Sequence, residues 1–178
     1  ILRSVKPVTE ELSQESMAVY GITRDDFDIL SSTIPSIDQA LQIRDAKREL
    51  YYGETDRAVH FIGCTPEYFS INRLPVARGR PLAASDLRGL ENVTVLAHDV
   101  AERLFPIQDP LGRAVQIGTE FYVVVGVAQD RTAAAAIGGS FSARQYNRDV
   151  YIPLNTFQKR IGDRVITVRG GTFQNETI

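Results

Sequence analysis

Two histidines, one cysteine and a group of loop arginines are the side chains in this sequence with the most chemistry to offer. A catalytic or metal-binding histidine needs partners at a fixed spacing, and neither His60 nor His98 stands in a His-x-x-x-His or His-Glu-x-x-His frame. His60 falls in a strand pattern and His98 just before a helix, where it can cap. Cys64 with a distant histidine would make a nucleophile and base. It lies at a predicted strand end among apolar neighbours, the setting of a small buried thiol. Asp25, Asp26 and Asp28 offer oxygens but lack the alternating ligands, central Gly and terminal Glu of a calcium loop. Gly138-Gly139-Ser140 has neither the G-x-S-x-G frame nor a following Lys-Ser/Thr pair. Arg73, Arg78, Arg80 and Arg88 are the candidate binding residues, because four guanidiniums in one loop could gather an anion. Asp86 is placed to lock one of them instead. No nucleophile, base and oxyanion donor assemble, so no catalytic residue, cofactor or metal ligand is assigned and the domain is expected not to be an enzyme.

The elements that hold these residues alternate hairpins with isolated helices. Thr23-Arg24-Asp25-Asp26 resembles a capping box, Phe27, Leu30 and Ile34 recur at helical spacing, and Pro35 stops that helix. An extended piece is expected near 16–20. Residues 37–52 and 57–64 read as a hairpin around Gly53, with Ala58, His60, Ile62 and Cys64 on one face of its second strand. Thr65-Pro66 starts a short helical turn, and 71–90, rich in Pro and Gly, reads as a loop with brief extended pieces. Val93–Ala97 is a strand, Asp99–Phe105 an amphipathic helix, and Asp109-Pro110-Leu111-Gly112 a turn. Arg113–Ile117 and Phe121–Ala128 form a second hairpin, followed by a long loop at 129–147. Val150–Pro153 and Val165–Val168 are strands, Asn155–Ile161 is a helix, and 170–178 is a polar tail. This mixture predicts an α+β fold with mixed or antiparallel sheets and short helices, not a doubly wound parallel sheet.

Composition narrows the function classes. The 178 residues are 43% hydrophobic and 24% charged, as in a folded domain. A net charge of −2 argues against nucleic acid as a partner. The 17 Arg against 3 Lys fit either fixed pairing with carboxylates or a high-GC genome. One cysteine permits no internal disulfide, and Cys and His are too few for a structural zinc site. The longest apolar run, Phe121 to Ala128, falls far short of the roughly 20 residues a membrane helix needs. A start at Ile1 with no basic and apolar leader reads as a segment excised from a longer chain.

Several segments, in order, resemble the periplasmic core domain of MacB-like ABC transporter permeases, whose membrane part is called FtsX-like. They are Gly63-Cys64-Thr65-Pro66-Glu67-Tyr68-Phe69, Gly79-Arg80 with Asp86, Val93-Thr94-Val95-Leu96, and Ala101 with Leu104-Phe105. Asp109-Pro110-Leu111-Gly112-Arg113, Phe121 through Val127, and Tyr151-Ile152-Pro153-Leu154 complete the series, and Ser4-Val5-Lys6-Pro7 is similar to the stretch after a first membrane helix. Physically these positions read as structural, with Phe105 and the valines of 123–127 filling a core.

The resemblance implies a two-lobed extracytoplasmic domain between two membrane helices of an inner-membrane permease. On that basis residues 1–71 are expected to begin a porter-like lobe, 72–147 to form an inserted Sabre-like lobe, and 148–178 to be a truncated return segment. The implied partners are the permease's own membrane helices, a cytoplasmic ATPase domain or subunit, a second copy in a dimeric transporter, and a periplasmic adaptor or envelope protein. The implied work is to couple ATP hydrolysis to export, lipoprotein extraction or signalling. A soluble α+β enzyme or anion-binding module built on the Arg-rich loop is the competing reading.

Overall fold

In a computed structural model of the chain, the residues described are 24–34, 40–53, 55–130, 146–161, 164–169 and 172–177. The fold is α+β, with short helices set between the strands of a mixed sheet. Two compact units divide the chain, one of residues 43–160 and the other of 1–42 with 161–178.

The larger unit is a sheet that closes on itself. Strand β1 (Arg44–Tyr52) turns at Gly53 into β2 (Thr55–Cys64), pairing antiparallel from Tyr52↔Thr55 to Arg44↔Gly63. The later strands are β3 (Val76–Gly79), β4 (Val93–Leu96), β5 (Ala114–Ile117), β6 (Glu120–Ala128) and β7 (Asp149–Pro153). Hydrogen bonding runs β6-β4-β7-β2-β1-β5, and β5 pairs back onto β6, so six strands form a ring with β3 added along β6. The β2–β7 and β4–β6 pairs are parallel and the others antiparallel. Closure leaves few free strand edges, which is the usual remedy for a small sheet's exposed backbone.

Alternation along β2 sends side chains to both faces, and both are covered near its C-terminal end. On one face Phe61 meets Tyr122 of β6 and Phe157 of α5 (Leu154–Ile161), each at 5.6 Å between ring centres. On the other face, the neighbouring Tyr151 of β7 packs against Tyr68 and Phe69 of α2 (Glu67–Ile71), at 5.6 and 5.4 Å. Gly63 is what lets α5 come so close. A side chain there would lie 2.6 Å from Phe157 Cβ. Helix α4 (His98–Leu104) buries Val100, Ala101 and Leu104, and Phe105 packs against Tyr52 with ring centres 4.2 Å apart and the rings tilted by 46°. In the smaller unit, α1 (Arg24–Thr33) ends at the expected place, and β8 (Arg164–Arg169) pairs with β9 (Thr172–Thr177).

Four expectations change. The first hairpin strand begins at Arg44, not at 37. The 71–90 stretch contains a helix, α3 (Ala84–Gly89), because Asp86 caps it from within although its N-cap is Ala83. The polar tail is partly strand, since a hairpin's backbone pairing does not depend on apolar side chains. Of the valines at 123–127, Val124 and Val127 are core residues, whereas Val123 is exposed and Val125 half-exposed on the outer face of β6.

Strands on both sides of 71/72 and 147/148 belong to one sheet: β2 pairs with β7, and β7 with β4. Within the Pro- and Gly-rich stretch the backbone packs tightly at Gly79. The expected strand near 16–20 and most of the loop 129–147 lie outside the described residues.

Candidate functional site

Strand β6 has nine residues, and each edge needs backbone partners. One edge is served by β4. The other is assembled from three separate segments. β5 pairs with Glu120–Val123. The turn after Asp109 then takes over: Gly112 N–H donates to Val124 O, and Val124 N–H donates to Arg113 O, both at 2.8 Å. Arg80 N–H donates to Val125 O at 2.9 Å, and β3 pairs from Gly126 to Ala128. The Gly-Arg and Asp-Pro-Leu-Gly-Arg motifs are thus neighbours along one strand edge.

This junction is tight. A side chain on Gly126 would lie 2.2 Å from Arg80 O, and one on Gly79 would lie 2.3 Å from Val125 O. Gly79 also has φ +74°, a left-handed backbone that other residues rarely adopt. Glycine at both positions is required by the approach of the two chains.

Around the junction, charged side chains lock the loop. Arg80 holds Asp86 with two hydrogen bonds, Nη1 to Oδ2 at 2.7 Å and Nη2 to Oδ1 at 3.0 Å. The same Oδ2 accepts Ala83 N–H at 2.8 Å, which ties the clasp to the start of α3. The Asp86 side chain is only 6% exposed. Burial pushes its carboxyl up, but the Arg80 hydrogen bond, the Ala83 N–H and the Arg80 charge together outweigh burial and hold it below the usual range. The hydrogen bond to Asp86 correspondingly raises Arg80. Across the junction Arg78 Nη2 donates to Asp109 Oδ1 at 2.6 Å, and that oxygen also accepts Leu111 N–H at 3.0 Å. From the other side, α5 reaches the end of α3, where Asn155 donates to Leu87 O and Thr156 to Glu91 O.

The four candidate arginines therefore divide. Arg78 and Arg80 are bonded to different carboxylates. Arg73, in the left-handed region at φ 48° after α2, and Arg88, in the last turn of α3, are exposed on separate elements. The pairing of Arg80 with Asp86 is the lock that the sequence offered. With two of the four guanidiniums so engaged, the loop is built to hold backbone.

The remaining candidates are placed as follows. Cys64 is fully buried, and burial foremost, with the Glu67 charge adding, pushes its thiol up, away from a reactive thiolate. His60 lies half-buried in β2. The acids at 25, 26 and 28 fall in the first half of α1. Ser140 lies outside the described residues.

One grouping has no counterpart in the sequence patterns. His98, Asp99 and Asp130 each offer a donor atom within 4.8 Å of the others. Beside them a cavity of about 120 Å³ is lined partly by Asp99, Arg103 and Arg148. Only the parallel pairing of β4 with β6, invisible in spacing, brings Asp130 to the start of α4.

The profile of the MacB-like periplasmic core domain matches residues 4–173. Over 114 residues, 64% of the chain, it is 31% identical to a "Macrolide export ATP-binding/permease protein MacB" of Hahella chejuensis. A "Probable export ATP-binding/permease protein MacB" of Pseudomonas entomophila is 27% identical over 133 residues, 74% of the chain. The matched stretches span 16% and 18% of those relatives' lengths. Among solved structures, the extracellular domain of the noncanonic ABC-type transporter YknZ from Gram-positive bacteria has TM-score 0.65 at 21% identity, covering 79% of this chain and 66% of that one. The periplasmic region of MacB from Actinobacillus actinomycetemcomitans has TM-score 0.63 at 21% identity, covering 83% and 62%. At that identity both likenesses concern the fold.

Proposed function

The chain belongs to the MacB-like periplasmic core domain family, and from that membership we propose that it works as the extracytoplasmic domain of an inner-membrane ABC transporter permease. In this reading it performs no chemistry of its own. It passes on motion that ATP hydrolysis in a cytoplasmic domain or subunit generates, and it contacts substrate or an envelope partner. Export is the transport activity favoured, because the matched relatives carry export in their names. A dimeric transporter and a periplasmic adaptor belong to the same proposal.

The observation that carries the reading is the use made of the signature residues. Gly79, Arg80, Asp86, Asp109, Gly112 and Gly126 all hold backbone at the β6 junction. A domain that transmits force needs such a junction, because a loosely held edge would absorb displacement instead of conveying it. Two lobes belong to the same proposal, with 1–71 beginning the porter-like lobe, 72–147 forming the inserted Sabre-like lobe and 148–178 the return segment.

The test uses the full-length gene product and the 178-residue chain together. The full-length product should resist carbonate extraction from membranes and lose this region to protease only from the outer side. The chain alone should hydrolyse no ATP. A carbonate-soluble product, or ATP turnover by the chain alone, would contradict the proposal.

A further inference from the structure

We propose that His98, Asp99 and Asp130 form a binding site for a borderline divalent metal ion such as Zn²⁺, at the C-terminal ends of β4 and β6. The topology creates the meeting point. These strands are parallel, with Leu96 opposite Val127, so both chains leave the sheet at the same end. On one, His98 and Asp99 open α4, and on the other Asp130 follows the strand's last residue by two positions.

The spacing of the three side chains suits a shared ion. One donor atom from each residue lies within 4.8 Å of the other two. His98 Nδ1 stands 3.6 Å from Asp99 Oδ1. That is too long for a hydrogen bond. Two ligands bound at about 2.0–2.2 Å to one tetrahedral ion are separated by about 3.4 Å, so a small closure would suffice. His98 Nδ1 is also buried at the atom level and makes no hydrogen bond. A shielded ring nitrogen calls for a partner, and a metal ion satisfies its lone pair.

Asp130 is already oriented. Asn147 Nδ2 donates to its Oδ1 at 2.7 Å, the kind of outer contact that fixes a metal-binding carboxylate. One imidazole with two carboxylates selects a borderline ion over Ca²⁺ or Mg²⁺, which prefer oxygen alone. The positive end of α4 opposes a cation weakly, and two carboxylates outweigh it. Half-burial of His98 and Asp99 leaves the remaining coordination positions to water.

The 178-residue chain, stripped with a chelator, is titrated with Zn²⁺ at neutral pH by calorimetry. The inference predicts one saturable Zn²⁺ per chain. Affinity should fall by roughly tenfold or more in His98→Ala and in Asp130→Asn, and stay unchanged in His60→Ala. Circular dichroism checks that each variant folds. Independently of any variant, the imidazole NMR signals of the parent chain should move for His98 and stay for His60. The inference is overturned by absence of saturable one-to-one binding, by undiminished affinity in the folded His98 and Asp130 variants, or by Zn²⁺ shifts confined to His60.

Discussion

Replacing Gly126 with alanine puts the β6 junction under direct test. The added Cβ would sit 2.2 Å from Arg80 O, where carbon and oxygen normally keep about 3.3 Å apart. The two backbones must therefore separate by about 1 Å. That movement strains the Arg80 N–H to Val125 O hydrogen bond, now 2.9 Å, which sits beside the Arg80–Asp86 clasp. Overpacking of this kind costs about 1–3 kcal/mol, and the weakened hydrogen bond adds about 1 kcal/mol, giving a loss of about 2–4 kcal/mol. Gly79→Ala meets a similar clash, 2.3 Å from Val125 O, and adds the left-handed φ of +74°, worth about 1–2 kcal/mol more. Gly118→Ala is the control, with φ +62° but nothing within 4 Å of its Cβ, and should lose only the left-handed cost of about 1–2 kcal/mol. Urea unfolding followed by circular dichroism gives the order. In a chain of this size each kcal/mol lowers the melting temperature by about 2–4 °C. The reasoning is refuted if Gly126→Ala unfolds with the parent, or if Gly118→Ala is the most damaging of the three.

Further consequences follow from the charges and the core. The Asp86 carboxyl is held below its ordinary value, so its contribution is complete above about pH 4 and fades as the pH falls through the lowered folded value. Asp86→Asn should thus cost about 1–3 kcal/mol near neutral pH, with the gap from the parent closing in acid; a gap independent of pH would count against the clasp. Cys64 should resist thiol reagents in the folded chain at mildly alkaline pH and react once urea unfolds it; rapid labelling of the folded chain would contradict its burial. Phe61→Ala should lose about 3–5 kcal/mol, whereas Phe121→Ser, at a side chain 60% exposed, should change stability by less than about 0.5 kcal/mol. Equal losses in urea unfolding would refute the assignment of faces along β2 and β6.

What the sequence shows of this fold depends on how local each cause is. The turn at 109–112, the hairpin around Gly118 and α4 are written in neighbouring residues, and they stand where expected within a residue or two. Helix α3 was hidden because its capping acid stands inside the helix and Ala83 carries no capping group. The extent of the larger unit depends on parallel pairing of β2 with β7, across a long span of chain, and no periodicity announces that. Val123 and Val125 belong to the same apolar run as Val124 and Val127, so hydrophobicity alone could not tell outer from inner face. At the site, Arg80 and Asp86 are six positions apart and their pairing was legible. The link of Arg78 to Asp109, and the meeting of His98, Asp99 and Asp130, required the closed sheet.

The most direct test of the central claim is thiol labelling of the full-length gene product in intact cells. Ile107, 95% exposed, is changed to cysteine in a product that keeps the buried Cys64 and has any other cysteines replaced. With an extracytoplasmic domain, a membrane-impermeant maleimide should label the Ile107→Cys protein in intact cells and leave the Cys64-only parent unlabelled. Labelling that requires prior disruption of the cytoplasmic membrane would place the domain inside and contradict the account.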